Sequence, residues 1–247
     1  MMEMLGGIVI GLVGGVAASF LGPVRQVSER LGRRILDPAP IDINIETDLG
    51  IIWAADPDWI GASFWVPDAG ALSAPPSSLA LWQQWVRGLG GHDRGTATIR
   101  LTLVARAGVT VVIGMPQVEA SREPLPEGHN LVRPVGGAEI RPLGIDVQLD
   151  GGWVSLTDHD GPVQREALSW YLTPGEVKQF LIRVSAGTEG LWRWRLKLPV
   201  IVDGERRLRD ITDKGDDFVV VGMEAGADEE MWTEDHWWSR RTRDPSC

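Results

Sequence analysis

Only one cysteine, Cys247, occurs in the 247-residue chain, and it stands at the last position. No intramolecular disulfide can form, and a cysteine-built zinc site is excluded. That scarcity fits a reducing compartment. Lysine is nearly as rare, confined to Lys178, Lys197 and Lys214, so the basic residues are mostly arginine, the habit of a GC-rich genome. A net charge of -10 argues against nucleic acid as a partner, because phosphate binding needs clustered Lys and Arg. Hydrophobic residues at 43% are enough for a packed core in one large domain or two small ones.

Catalytic signatures are missing as well. There is no H-E-x-x-H, no G-x-S-x-G and no Walker loop. His92, His129, His159 and His236 are scattered, and His92 in "GGHDRG" reads as a loop. "DHDG" (Asp158 to Gly161) resembles the start of a calcium loop, but Ser169 stands where the closing glutamate belongs. Asp56 and Asp58 flank Pro57 as turn residues do. No catalytic residue, cofactor or metal ligand is expected; a hydrolase site assembled only in space is the reading left to an enzyme.

What is present begins with a long uncharged run, Leu5 to Gly22. A dinucleotide-binding turn fails there, because Val13 takes the place of the second glycine. An export signal lacks its positive start, since Glu3 is the only charge ahead of the run. A transmembrane helix fits: about 18 residues at 1.5 Å each span roughly 27 Å, close to the hydrocarbon thickness. Gly7, Gly11, Gly15 and Ser19 recur every four residues and share one helical face. That small-residue stripe would let two copies approach as a homodimer. Arg25, Arg30, Arg33 and Arg34 follow the run while nothing basic precedes it, which puts the C-terminal side in the cytoplasm. Val24, Val27, Leu31 and Ile35 lie at helical spacing, so this segment would rest on anionic headgroups or continue the span. Pro38 and Pro40 end it.

Beyond Pro40 the period changes from helical to alternating. "IDINIE", "TIRLTLVAR", "VTVVIGMPQVEA", "GIDVQL", "VKQFLIRV" and "DFVVVG" read as strands. In "LWRWRLKLPVIVDG", Trp192, Trp194, Leu196 and Leu198 alternate with Arg193, Arg195 and Lys197, giving one buried face and one basic, wet face. Pro199 implies an edge position or a bulge. Asp203-Gly204 marks a hairpin turn, with "RRLRDI" returning. One short helix is expected in "SSLALWQQWVRGLGG", capped by Ser77 or Ser78 and stopped by Gly90. Its stripe of Leu81, Trp82, Trp85, Val86 and Leu89 would cover an open part of the sheets. These spacings predict a mainly β protein, an antiparallel, immunoglobulin-like β-sandwich.

The stretch "LWQQWVRGLGGHDRGTATIRLTLVARAGVTVVI", then "REPLPEGHNL" and "TPGEVKQFLIRVSAGTEGLWRWRLKLPV", resembles a group of uncharacterised actinobacterial proteins, over Leu81 to Gly222. The resemblance implies a β-rich domain, often behind a membrane segment, with no established activity.

The expected organisation is therefore a short tail over 1–4, a span over 5–22, a juxtamembrane basic segment over 23–40, a sandwich over 41–222 and a largely disordered, tryptophan-rich tail over 223–247. Within that tail, Trp232, Trp237, Trp238, Arg240 and Arg241 have the composition of interface anchors. The leading expectation is a single-pass membrane protein with a cytoplasmic, non-enzymatic interaction or scaffold domain, held by the lipid bilayer and an unknown protein partner. The alternative is an exported cell-wall or carbohydrate-binding sandwich, with Trp192 and Trp194 as a stacking platform for sugars.

Overall fold

The computed structural model describes residues 40–54, 62–68, 72–76, 78, 81–106, 108–133, 144–157, 169–223, 229–233 and 236–240. The chain divides into two compact units, Met1–Pro40 and Ile41–Cys247. Gly7, Gly11, Gly15, Ser19, Arg25, Arg30, Arg33 and Arg34, and with them the expected span, lie outside the described residues. Among the described residues no helix is long and apolar enough to cross a membrane.

The second unit is mainly β. In chain order its elements are β1 (Ile41–Glu46), α1 (Leu49–Ile52), β2 (Ala62–Pro67), α2 (Trp82–Gly88), β3 (His92–Arg94), β4 (Thr96–Ala105), β5 (Val111–Gly114), β6 (Gln117–Glu123) and β7 (Gly128–Arg133). There follow β8 (Gly144–Gln148), β9 (Trp153–Thr157), β10 (Ser169–Leu172), β11 (Val177–Ser185), β12 (Gly190–Val202), β13 (Glu205–Ile211), β14 (Phe218–Gly222), β15 (Glu229–Thr233) and β16 (His236–Arg240). One sheet runs β1-β4-β11-β8-β9; the other runs β10-β5-β12-β14-β3-β2-β7-β15-β16, with β6 and β13 also on β12.

Alternation explains how the two sheets close on each other. Ala97, Ile99, Leu101, Leu103 and Ala105 of β4 are buried, as are Phe180, Ile182 and Val184 of β11. They meet Trp192, Trp194, Leu196, Leu198 and Val200 of β12 in one cluster, so both sheets share a core. A slip of one residue in any of these strands would turn its apolar set to water, at about 1.5–3 kcal/mol for each large side chain.

Three pairings are parallel rather than antiparallel: β11 with β8, β14 with β3, and β15 with β7. The sheets are therefore mixed, a correction to the all-antiparallel expectation. A strand's own alternation is the same whichever way its neighbour runs, so periodicity does not carry this information.

β12 is central and not an edge. Its first half lies between β6 and β14, its second half between β5 and β13. "VTVVIGMPQVEA" is two strands, broken between Gly114 and Gln117. Across that break the five residues 113–117 face the four residues 197–200, so the register shifts by one. This is the bulge alternative for Pro199: the proline sits where β12 changes neighbours and its missing N–H costs no ladder bond there. A Cβ on Gly114 would lie 3.2 Å from the Pro199 ring, which explains the glycine. The β12–β13 hairpin follows the sequence expectation, with Asp203 at φ 51° and Gly204 at φ 80°, the left-handed pair of a two-residue turn.

α2 starts later than the serine cap implies. Leu81 occupies the cap position without a side-chain bond, and the Ser78 carbonyl accepts from its N–H at 3.1 Å. Gly90, at φ 76°, ends it as expected. Trp82 and Val86 pack with Phe64, Val66 and Leu131 in a second cluster, while Leu81 is exposed. α1 was not foreseen; Asp48 caps it by accepting from the Gly50 N–H at 2.8 Å.

Ten residues of the tail form two strands. Residues 229–233 and 236–240 pair as an antiparallel hairpin, and β15 lies along β7. Trp232, Thr233, Trp237 and Trp238 are strand-favouring residues embedded among charges, and the charges masked their propensity in the sequence.

Candidate interaction edge at the C-terminus

The best-furnished polar cluster lies under α2. Asp93 is buried, and the Arg87 guanidinium reaches its Oδ2 at 2.6 Å. The same guanidinium donates to the Gly91 carbonyl at 2.9 Å, and Gln83 Oε1 accepts from the Leu49 N–H at 2.9 Å. Burial pushes the Asp93 carboxyl up from its ordinary range, while Arg87 and Gln83 pull it back. "GGHDRG" forms β3 and not the expected loop. Successive strand residues face opposite sides, so His92 points away from Asp93 and the two do not form an acid–base pair. His92 instead lies parallel to the Trp65 ring, centroids 6.4 Å apart. Burial first, then the charges of Arg87 and Arg193, depress its pKa to about 4, leaving it neutral near pH 7. The arrangement ties α1 and α2 to β3; it is a structural latch.

The basic face of β12 is charge-paired rather than open. Arg193 meets Glu123 at 3.0 Å, Arg195 meets Asp217 at 2.7 Å and Lys197 meets Asp210 at 2.6 Å. The hydrogen bond to Asp210 raises the Lys197 pKa and lowers that of Asp210. On the first sheet, Arg183 Nε donates to Asp146 at 2.9 Å, and Thr157 donates to the same carboxylate. These carboxylates and cations neutralise one another.

Trp192 and Trp194 are no sugar platform. They are 9% and 1% exposed. The Trp192 indole N–H donates to the Thr188 carbonyl at 2.9 Å, with the Arg122 guanidinium 5.9 Å from its ring. Trp194 stacks on Phe218 with centroids 4.5 Å apart, and its indole N–H finds no partner among the described residues. Among the described residues no group of three or more His, Cys, Asp or Glu could hold a metal. His129 lies 3.5 Å from Asp68; His159 and the Asp158–Gly161 stretch lie outside the described residues.

The interface residues expected from composition fall at the far end of the larger sheet. β15 joins β7 through Glu230 opposite Leu131 and Met231 opposite Val132. β16 then pairs with β15, placing Trp237 opposite Trp232, Trp238 opposite Met231 and Arg240 opposite Glu229. Aromatic pairs and opposite charges at directly facing positions stabilise such a hairpin by about 0.2–1 kcal/mol each. Arg241 lies outside the described residues. β16 ends the strand order, so among the described residues its outer edge has no strand neighbour. Composition had found the residues; the pairing that places them at the end of the sheet had no signal beyond the Trp-Thr of "EEMWT" and the aromatic run of "HWW".

No protein-family model matches the chain, and no curated protein is significantly similar to it.

Proposed function

We propose that the protein is a membrane-anchored, cytoplasm-facing, non-enzymatic interaction module that presents its C-terminal hairpin to a protein partner. One observation carries the reading. The residues with interface chemistry, Trp237, Trp238 and Arg240, lie on β16, which ends the strand order of the larger sheet among the described residues. The charged rows of β12 and the Asp93 cluster are by contrast occupied with their own partners. An open strand edge is a template for pairing with another chain.

The anchor rests on the uncharged run over 5–22, and the orientation on Arg25, Arg30, Arg33 and Arg34 behind it. The Gly7, Gly11, Gly15 and Ser19 stripe supports pairing of two copies in the bilayer. The shared core supports a β-sandwich scaffold, immunoglobulin-like in layering though mixed in strand direction. The carbohydrate-binding alternative loses its platform with the burial of Trp192 and Trp194.

Two measurements test this. Alkaline extraction should leave the full chain in the membrane pellet; recovery in the soluble fraction defeats the anchor. Proximity labelling in cells should mark a cytoplasmic protein that is lost on removing residues 223–247; unchanged labelling defeats the hairpin as the interaction element.

A further inference from the structure

The outer face of the larger sheet carries an apolar row with unlike ends. Tyr171 of β10 faces Val112 of β5, Val112 faces Ile201 of β12, and Ile201 faces Arg206 of β13. Directly facing residues point to the same side of a sheet. Their strand neighbours Leu172, Val111, Ile113, Val200 and Val202 are buried in the shared core, so the row points away from it. Tyr171, the chain's single tyrosine, is 68% exposed, and Ile201 is 36% exposed. One step along, Leu208 faces Pro199 and is 55% exposed. Four adjacent strands thus gather three exposed large apolar side chains, whereas such residues are ordinarily scattered singly over a soluble surface. Charge on this face is uneven. Lys197 and Asp210 neutralise each other at 2.6 Å, and Arg207, on the opposite side of β13, pairs with Glu205 at 2.8 Å. Arg206 is exposed and has no ion-pair partner among the described residues.

From this we infer that two copies of the chain pair through this face, about a two-fold axis that runs along the strands between Val112 and Ile201. Such an axis reverses the row. Tyr171 of each copy meets Arg206 of the other, Val112 meets Ile201, and a guanidinium lies over a phenol ring twice. The unlike ends are what select a second copy: an aromatic ring at one end and an unpaired arginine at the other complement the same row turned round. Tyrosine and arginine are also the residue types that carry most interface energy. A two-fold axis along the row itself would set Arg206 against Arg206 and is disfavoured. Sheets packed face to face keep their strands within about 30° of each other, as this axis requires. The row is roughly 14 Å across at a strand spacing of about 4.8 Å. The patch is smaller than the standard interface of about 800 Å² per partner, so the pairing is weak and reversible. It rests neither on the C-terminal hairpin nor on the uncharged run over 5–22.

Cys247, the chain's single cysteine, takes a donor dye in one preparation and an acceptor in another. Association of the full chain in mild detergent is then read by energy transfer over a concentration series. The parent should associate reversibly. Tyr171→Arg sets arginine over arginine and should weaken association about tenfold or more. Mixing Tyr171→Arg chains that carry the donor with Arg206→Tyr chains that carry the acceptor restores both aromatic–guanidinium contacts. That mixture should associate like the parent, a recovery that misfolding does not produce. Val177→Ser, at an exposed position on the smaller sheet, should leave association unchanged. Gly11→Leu with Gly15→Leu blocks the small-residue stripe and should also leave it unchanged, which separates pairing through the sheet from pairing in a bilayer. A parent that stays monomeric, association that Tyr171→Arg leaves intact, or a mixture no better than Tyr171→Arg alone would each overturn the inference. A monomeric parent whose β10 and β12 amides are protected by anionic vesicles would assign the face to lipid instead.

Discussion

Trp192 and Trp194 sit in the middle of the larger sheet; Trp232, Trp237 and Trp238 sit at its end. Both sets sit beside charged residues, the first in the 13-residue β12 and the second in the 5-residue β15 and β16. β12 has neighbours on both sides and a second sheet across its inner face, so its indoles are sealed into the core. Among the described residues β16 has one strand neighbour, β15, and its sequence carries aromatics and arginine to the end of the sheet. Position in the strand order, more than residue type, separates the indoles of the core from those at the end of the sheet.

The contrast is sharpest in stability. Trp194→Ala should cost about 3–5 kcal/mol, read as a fall in the urea midpoint, because it empties part of a closed core. Loss of residues 223–247 should move the midpoint less than that one substitution; a larger shift would mean that the hairpin is part of the core and would erase the distinction. Trp232→Ala should cost only about 0.2–1 kcal/mol, the worth of a facing cross-strand pair. Trp194→Phe should stay within about 1 kcal/mol of the parent, since it removes a buried indole N–H without a partner along with the lost area. A much larger loss would show that this N–H is satisfied.

The smallest effect concerns His92. Its folded pKa is about 4 against an ordinary 6.5, so the unfolded chain takes up a proton that the folded chain refuses. Above pH 6.5 this group leaves stability unchanged; as pH falls from there toward 4 its contribution declines. An NMR titration should find the His92 ring neutral at pH 5.5, and His92→Gln should remove that part of the pH slope. A midpoint near 6.5 would show that Trp65 and Arg87 do not enclose the ring as described.

Much of the body was legible because strand alternation is a local property. β4, β11 and β12 and the turn at Asp203-Gly204 follow directly from it. The parallel neighbours of β8, β3 and β15 were not, because direction is set by the distant chain. Nor was the bulge at 113–117, which exists only relative to β12. The candidate edge was half legible: tryptophan and arginine marked the tail as adhesive, but its charges imitated disorder. "GGHDRG" misled in the opposite sense, since two glycines beside charge suggest a loop, whereas Gly91 is needed for close approach. A Cβ there would stand 2.5 Å from the Trp65 carbonyl oxygen.

Amide hydrogen exchange across β16 in the full chain tests most directly whether the strand has a neighbour on one side alone. The account predicts slow exchange at His236, Trp238 and Arg240, the positions that bond to β15 when the pair facing across the turn, Thr233 and His236, is a bonded one, and fast exchange at Trp237 and Ser239. Uniformly fast exchange from His236 to Arg240 would mean there is no hairpin. Uniformly slow exchange in the free chain would mean that the edge is already covered, and either result would contradict it.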